Sequence, residues 1–304
     1  MSPENILWYA LRNARPDGSE AVRHVMSALE RLVPHGAVAY RDRGDNLWID
    51  ARAGKSRSLF CAHLDTVARS EGEHDIYISD AGLIHTGGTA VLGADDGAGI
   101  YVLARMLAHG VPGMYLFTQR EECGGLGMAD ALRYPRRFDD LDRAIAFDRR
   151  GKGEICGAQS RGILASREFV QALADGLGLG HTWGVGTYTD NSELADLIPE
   201  IVNVSVGYED NHGPSETLDW PYLQALADAA CLVAWEDLPV LGHPESRADT
   251  WLDLRPGDWT PLDADDAVRD TLWDICDTLG LEPTSWEAQE VEYALQALVK
   301  QVAV

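Results

Sequence analysis

Eight side chains that could bind or support divalent metal ions occur in five short segments of the sequence. They are His63 and Asp65 in CAHLDTV, Asp95 and Asp96 in LGADDGAGI, Glu121 and Glu122 in TQREECGG, Asp148 in AFDRRG, and His212 in VGYEDNHGPSE. Imidazole nitrogens and carboxylate oxygens together suit hard and borderline divalent cations. The set offers enough ligands for two ions, with zinc as the first candidate and cobalt or manganese as substitutes.

Each segment taken alone also has a purely structural explanation. His63 and Asp65 are two residues apart. An extended chain therefore places both on one side, as a ligand and its support or simply as a hydrogen-bonded pair. The acidic pair at 95–96 could instead cap a helix and benefit from its dipole. The interpretation as a metal centre depends on all five segments meeting at one place.

The elements expected to position these residues alternate along the chain. Short apolar runs predict strands at 58–64, 114–119, 143–148 and 200–207, and helical spacing predicts helices at 19–33, 97–110, 126–134, 166–178 and 218–237. This alternation predicts an α/β fold, a three-layer helix/sheet/helix sandwich with a mostly parallel mixed sheet. Four of the five segments follow a predicted strand, and the carboxyl ends of such strands are where chemistry gathers.

The composition restricts the classes of partner. A chain of 304 residues fits one α/β domain plus a small additional unit. Hydrophobic residues at 45% and charged residues at 24% are typical of a globular protein and argue against disorder. Lys and Arg number 25 against 49 Asp and Glu, a net charge of −24. Because such a surface repels phosphates and anionic lipids, we expect neither nucleic acid nor a membrane as partner.

The sequence also carries an expectation about the compartment. It contains no apolar run long enough for a signal peptide or a membrane span. Its five cysteines are widely spaced and form no CxxC pair, which argues against a disulfide framework and a thiolate zinc site. These features fit a reducing compartment, so we predict a cytoplasmic protein.

The ordered set of motifs resembles the zinc-dependent exopeptidase superfamily, which includes peptidase T, glutamate carboxypeptidase and the bacterial leucine aminopeptidases. The resemblance covers roughly residues 19–237. It is carried by CAHLDTV, LGADDGAGI, TQREECGGLG, AFDRRG, GTYTDNSEL and SVGYEDNHGPSE, in that order. The HxDTV, ADDxAGI and EE blocks and the final GY…H block are most similar to the peptidase T branch.

The resemblance implies a role for each motif residue in a site with two metal ions. Asp95 would bridge both ions, and its peptide bond to Asp96 is often cis in such proteins. The remaining ligands would be His63 and Asp148 for one ion, and Glu122 and His212 for the other. Glu121 would act as the general base on a water molecule, and Asp65 would support His63. Adjacent glutamates can divide these two tasks because the base must reach the water without being held by an ion.

One departure from the family concerns the lid domain that many relatives carry between the fourth and fifth ligands. The interval from Asp148 to His212 is only 64 residues here and must already hold two strands and a helix. A second domain of ordinary size does not fit. The resemblance therefore implies a single catalytic domain without a lid, like the single-domain aminopeptidases.

The groups that a lid would supply must then come from elsewhere in the chain. Tyr188, Thr189 or Asn191 in GTYTDNSEL could donate a hydrogen bond to a developing oxyanion, although Tyr188 could equally be a packed loop aromatic. Arg149 and Arg150 follow the predicted ligand Asp148 directly. One of them could bind a substrate carboxylate, or either could form an ion pair with the acidic surface.

The last part of the chain is predicted to be a separate unit. We place the catalytic domain at residues 1–238 and an acidic linker followed by a helical hairpin at 239–304. Residues 239–262 are rich in Pro, Gly and Asp, and two amphipathic patterns follow. The hairpin could dock on the catalytic domain, mediate oligomerisation or cover the open cleft.

Three functions remain open from the sequence. The leading one is a di-zinc metallo-aminopeptidase that hydrolyses the N-terminal peptide bond of short peptides. The second is a metal-dependent carboxypeptidase or N-acyl-amino-acid deacylase, favoured only by Arg149 and Arg150. The third is a non-catalytic binding module on the same fold, which is disfavoured because every ligand position and the base are present. A homo-oligomer is compatible with each, but not through an inserted lid domain.

Overall fold

A computed structural model describes residues 1–242 of the chain. The helices are α1 Pro3–Arg12, α2 Glu20–Glu30, α3 Ala94–His109, α4 Leu126–Ala131, α5 Arg167–Leu177 and α6 Trp220–Ala230, with 3₁₀ turns at Pro135–Arg137, Asp190–Leu194 and Trp235–Asp237. The strands are β1 Asn13–Ala14, β2 Val38–Arg41, β3 Leu47–Asp50, β4 Ser58–His63, β5 Gly72–Glu73, β6 Tyr77–Ile78, β7 Leu83–His85, β8 Met114–Thr118, β9 Arg143–Arg149, β10 Glu154–Gln159, β11 Gly162–Ile163, β12 Thr182–Val185, β13 Glu200–Ser205, β14 Tyr208–Glu209 and β15 Thr217–Asp219.

The main sheet is mixed, with its parallel part at the centre. Its strand order is β11-β10-β13-β9-β4-β8-β3-β2, and β12 pairs with β10. The four central strands β13, β9, β4 and β8 run parallel to one another, whereas β10 and β3 flank them antiparallel. All four strands predicted from the sequence are these central ones. They read as continuous apolar runs because both of their faces are buried.

Helices cover both faces of this sheet, as the prediction of a three-layer sandwich requires. Along β4, Phe60 and Ala62 point into one apolar core and Leu59 and Cys61 into a second. The first core is closed by α1, α2, α3, α5 and α6, and the second by α4 and the neighbouring 3₁₀ turns. The predicted fold class is therefore confirmed.

The helices follow the sequence pattern with small differences at their ends. Ser19 and Ser166 cap α2 and α5 by accepting from the backbone amides three residues later, as the predicted starts imply. The helix expected at 218–237 ends at Ala230 and is followed by a separate 3₁₀ turn. The sequence patterns missed α1, the short strands and a small sheet of order β14-β15-β7-β6. The missed strands include the six-residue β10 and the four-residue β2, β3 and β12. The strands of two or three residues carry too little periodicity to be recognised.

The interval expected to lack a lid domain is fully described. Residues 149–211 form β10, β11, α5, β12, a 3₁₀ turn, β13 and β14, which belong to the main sheet, its covering layer and the small sheet. No part of this interval forms a domain of its own.

The described chain ends against the main sheet. The Glu200 carboxylate accepts hydrogen bonds from the amides of Leu241 and Gly242, each at 2.7 Å. The helical hairpin predicted within 239–304 lies outside the described residues. Within residues 1–242, no helix combines the length and the apolar character that a membrane span needs.

Gly99 lies where α3 packs most closely against β9. A Cβ atom at this position would overlap the carbonyl oxygen of Phe147 and the carboxylate of Asp96. We expect Gly99→Ala to lower the free energy of unfolding by about 1–3 kcal/mol, because neither the backbone of β9 nor the buried carboxylate can move freely. The shift of the urea unfolding midpoint measures this effect.

Gly97 provides the matched control for that substitution in the same helix. Its Cβ would have its nearest neighbour at 3.5 Å, the Cδ2 of Leu11, which is ordinary contact. Because alanine favours the helical conformation, we expect Gly97→Ala to change the stability by less than about 1 kcal/mol or to raise it. Equal losses of stability in the two variants would contradict this account of α3 packing.

Candidate active site

The five motif segments meet at the carboxyl edge of the central parallel strands. His63 ends β4, Asp148 is the second last residue of β9, and the loop after β8 carries Glu121 and Glu122. The segment after β13 brings His212, and Asp95 and Asp96 begin α3. The segments meet at this edge because the four central strands run in the same direction.

Asp95 lies at the centre of the cluster, between the two histidines. Its Oδ1 is 2.8 Å from Nε2 of His63, and its Oδ2 is 3.1 Å from Nε2 of His212. The Asp95–Asp96 peptide bond is cis. Asn211 donates to the same Oδ2 at 2.7 Å. One carboxylate thus faces a histidine with each oxygen, which is the arrangement needed for a bridging ligand.

The other predicted ligands lie on two sides of Asp95, and on one side Asp96 forms a group with His63 and Asp148. His63 Nε2 lies 3.5 Å from Oδ1 of Asp148 on one side, and His212 Nε2 lies 3.3 Å from Oε2 of Glu122 on the other. The ligand atoms of Asp95, Glu122 and His212 all lie within 4.8 Å of one another. Among residues 1–242, His63 and His212 are the two histidines that belong to the cluster.

The electrostatics of the cluster fit bound cations. Burial opposes the ionisation of Asp95, yet hydrogen bonds with His212 and His63 keep its pKa well below the ordinary value. Burial raises the pKa of Glu122 and of Asp148, and each lies close to further carboxylates. Such a concentration of buried carboxylates needs compensating positive charge.

The donor atoms also fit two divalent ions chemically. Two imidazoles and three carboxylates supply nitrogen and oxygen ligands. Asp95 contacts a histidine with each of its two oxygens. In addition, Oε1 of Glu122 is buried and has no hydrogen-bond partner in the described structure. A buried carboxylate oxygen without a partner is costly unless a cation occupies the space beside it. The residues present therefore fit the metal ions that the resemblance implies.

The predicted ligand Asp148 is held by three neighbours. Thr189 Oγ1 donates to its Oδ2 at 2.8 Å, and the Tyr208 hydroxyl donates to its backbone oxygen at 3.0 Å. Asn203 accepts from the backbone amide of Asp148 at 2.9 Å and donates to its carbonyl oxygen at 3.2 Å. Thr189, which the sequence suggested as an oxyanion donor, thus supports a predicted ligand. Such cross-strand partners leave no spacing signal in the sequence.

Two further carboxylates hold the backbone around Asp95. Asp96 accepts from the amides of His63 at 3.1 Å and Gly99 at 2.8 Å. Glu216 accepts from the amides of Gly93 at 2.8 Å and Asp95 at 3.0 Å, and burial raises its pKa to about 7. The sequence analysis missed Glu216 although it ends the motif that contains His212.

Arg15 is a second residue that the sequence analysis missed. It is fully buried, and its guanidinium donates to the carbonyl oxygens of Leu64 at 2.9 Å and Gly93 at 3.1 Å. These two carbonyls belong to the segments that carry His63 and Asp95. Arg15 therefore joins the N-terminal part of the chain to both segments. An isolated arginine just after a helix carries no sequence signal of this role.

Glu121 lies beside the ligand cluster. One of its carboxylate oxygens lies within 4.8 Å of ligand atoms of His63 and Glu122. Burial raises its pKa well above the ordinary value, His63 opposes this shift, and Glu122 and Asp148 add to it. A carboxylate in reach of the ligand atoms is placed where a general base would have to lie.

Asp65 contacts two different parts of the cluster. Its backbone oxygen lies 3.2 Å from Nδ1 of His63, whereas its carboxylate oxygen is 3.7 Å from that nitrogen. The carboxylate instead accepts from the backbone amides of Glu121 at 3.1 Å and Glu122 at 3.2 Å. The side chain of Asp65 is thus directed at the loop after β8.

The suggested substrate-binding residues occupy different surroundings. Tyr188 is 37% exposed, and its hydroxyl packs against Gly125 in the loop that carries Glu121. Asn191 is fully buried and donates to the carbonyl oxygen of Val202 at 2.9 Å, so its amide group is committed to the fold. Arg149 is buried and forms an ion pair with Glu154 at 3.2 Å. Of the three, Tyr188 alone is exposed beside the cluster.

Comparison with solved structures identifies the fold. A tripeptidase from Staphylococcus aureus matches with a TM-score of 0.63 and 16% sequence identity, covering 77% of this chain and 96% of that one. The aminopeptidase PepT from Bacillus cereus matches with a TM-score of 0.58 and 16% identity, covering 75% and 96%. The TET1 peptidase of Pyrococcus horikoshii matches with a TM-score of 0.56 and 17% identity, covering 77% and 100%.

The chain therefore has the fold of these peptidases, and the fold expected from the resemblance to the zinc-dependent exopeptidases is confirmed. No family model matches the sequence. No curated protein sequence matches it either. At 16–17% identity to these three proteins, the similarity concerns the fold. The activity has to be argued from the cluster itself.

Proposed function

We propose that this protein is a metal-dependent aminopeptidase that hydrolyses the N-terminal peptide bond of short peptides with two divalent ions, zinc first among them. The observation that carries the proposal is the position of Asp95 between His63 and His212, with Glu121 beside them. His63 and Asp148 would hold one ion, Glu122 and His212 the other, and Asp95 both. Three peptidases of the same fold support the assignment.

The chemistry divides between the ions and the side chains of the chain. Two bound ions would polarise the scissile carbonyl group and lower the pKa of a water molecule at the site. The Glu121 carboxylate accepts a proton from the attacking water and then donates it to the nitrogen of the leaving amine. Thr189 donates to Oδ2 of Asp148 and so holds this proposed ligand in place.

The proposed substrate class follows from the surroundings of the cluster. Residues 149–211 add no lid. Of the proposed ligands, His212 is the most accessible, with 17% of its side chain exposed, whereas the side chains of the other four are at most 9% exposed. A site of this kind can bind the end of a short peptide without the movement of a second domain. The matched structures include a tripeptidase and two proteins described as an aminopeptidase and a peptidase.

The other two functions have less support. The carboxypeptidase or deacylase alternative relied on Arg149 or Arg150 to bind a substrate carboxylate. The guanidinium of Arg149 is paired with Glu154, so this alternative now depends on Arg150. A binding module without activity would not require Glu121, whose side chain lies among the ligands. The TET1 peptidase can assemble into a tetrahedron or a large octahedral shell. We include a homo-oligomer in the proposal for this chain, formed without an inserted domain.

A comparison of blocked peptides tests the proposed function. We expect the purified full-length chain with Zn²⁺ to hydrolyse trialanine and its C-terminal amide at similar rates, because only the N-terminal end must be recognised. N-acetylated trialanine should be cleaved at least about 100-fold more slowly, since its amine is no longer available to the site. Product analysis by liquid chromatography measures all three rates.

The same experiment distinguishes the alternatives. Removal of metal by a chelator should abolish cleavage, and added Zn²⁺, Co²⁺ or Mn²⁺ should restore it. Cleavage of the N-acetylated peptide together with resistance of the amide would instead support a carboxypeptidase or deacylase. Tight binding of metal and peptide without any cleavage would support the binding module.

A further inference from the structure

Asp65 makes two separate sets of contacts, one through its backbone and one through its side chain. It lies two residues past the end of β4 and is 1% exposed. Its backbone oxygen contacts Nδ1 of His63. Its two carboxylate oxygens are used separately, Oδ1 by the amide of Glu121 and Oδ2 by the amide of Glu122. The bidentate use of the carboxylate ties together segments that are 56 residues apart in the chain.

The loop that receives this carboxylate turns back on itself: the amides of Gly124 and Gly125 donate to the carbonyl oxygen of Glu121 at 3.0 and 2.9 Å. Arg120 has a φ of 59°, and Gly124 and Gly125 have φ values of 81° and 68°. Glycine adopts these positive φ values readily. The amides of Glu121 and Glu122, which precede the glycines, are the ones that donate to Asp65. Hydrogen bonds from consecutive amides to one carboxylate fix the orientation of both peptide planes. The direction of each Cα–Cβ bond follows from those planes.

We propose that the Asp65 carboxylate is a positioning residue for the two adjacent glutamates, and that it acts through their backbone amides. The inference rests on the proposed function for the roles of Glu121 and Glu122. The two hydrogen bonds from their amides to the Asp65 carboxylate, called the clamp below, are a property of the chain itself. In the proposed site, these two hydrogen bonds would direct the side chain of Glu121 toward the attacking water and that of Glu122 toward an ion. His63 is oriented by the backbone oxygen of Asp65, which any residue at this position would supply.

The substitution Asp65→Asn separates these two contacts. Asparagine has the same shape and keeps the backbone oxygen facing His63, but its side-chain amide can accept only one of the two N–H groups and presents a donor to the other. In the metal-free full-length protein, we expect hydrogen exchange in the peptide spanning 119–125 to accelerate at least about tenfold. Mass spectrometry of the exchanged protein measures this rate without any substrate.

Kinetics on the zinc-loaded protein provide the second readout. A displacement of the reacting group by about 1 Å can lower the rate 100-fold, so kcat for trialanine should fall by roughly that factor in Asp65→Asn. KM should change little, because no group that contacts the peptide is removed. Asp65→Ala, which removes both acceptors without presenting a donor, is expected to show the same two effects. Exchange in β9 verifies that each variant is folded.

Asp130→Asn is the matched control. Asp130 lies in α4 and accepts a hydrogen bond at 2.7 Å from Arg120, which belongs to the loop after β8. The Asp130→Asn substitution therefore removes one charge and one loop contact, but it leaves the hydrogen bonds of the Glu121 and Glu122 amides in place. We expect its exchange and its kcat to stay within about threefold of the parent. Unchanged exchange at 119–125 in both folded Asp65 variants would overturn the clamp. Because exchange is measured without metal and without substrate, it tests the clamp even if the protein has no peptidase activity.

Discussion

Glu121→Gln is expected to lower the turnover of trialanine by about 10²–10⁴-fold while the bound metal and the stability of the protein stay unchanged. Glutamine keeps the shape of the side chain and its backbone contact with Asp65. It cannot accept the proton of the attacking water or return it to the leaving amine. Turnover and the metal content of the same preparation are measured side by side.

Glu122→Gln is the matched control because it makes the same chemical change at the next residue. Glu122 contacts His212 and carries the buried oxygen without a partner, so its substitution should weaken the binding of one ion as well as turnover. The roles of the two glutamates would be exchanged if Glu121→Gln lost metal and Glu122→Gln did not. If both variants hydrolysed trialanine at the parental rate, the proposed mechanism would be wrong.

Asp95→Ala is expected to lower the affinity for both ions, each by more than about 100-fold. Residues that merely support a ligand contribute 10–100-fold to metal affinity, so the loss of a direct ligand should exceed this range. Asp95 faces a histidine with each of its oxygens, and its removal therefore affects both sides of the cluster. Elemental analysis after dialysis against a weak chelator measures the number of ions retained.

The two histidine variants separate a bridging ligand from an ordinary one. His63→Ala and His212→Ala each remove a ligand from one side, so each should release mainly one ion and retain the other. Two tightly bound ions in a folded Asp95→Ala protein would exclude the bridging role. Release of a single ion from Asp95→Ala would show that it serves one side alone.

The amino-acid sequence by itself determined the scaffold and the types of residue at its edge. The four central strands were predictable because strands buried on both faces read as uninterrupted apolar runs, as 143–148 does. The candidate ligands were predictable because each lies next to the end of a strand or the start of a helix. Parallel strands in one sheet bring such ends together whatever the details of packing.

Only the tertiary structure decided which partner each polar side chain takes. Asn191 and Arg149 were chemically suitable for substrate, but the carbonyl oxygen of Val202 and the carboxylate of Glu154 lie within their reach. The carboxylate of Asp65 was expected at His63 and lies 3.7 Å from its Nδ1, but it also accepts two amides from the loop after β8. A hydrogen bond forms only when donor and acceptor lie within a few tenths of an ångström of the ideal distance. Between segments remote in sequence, packing decides whether this condition is met. Residue spacing determines the direction of a side chain along its own element, whereas its partner depends on how the elements pack.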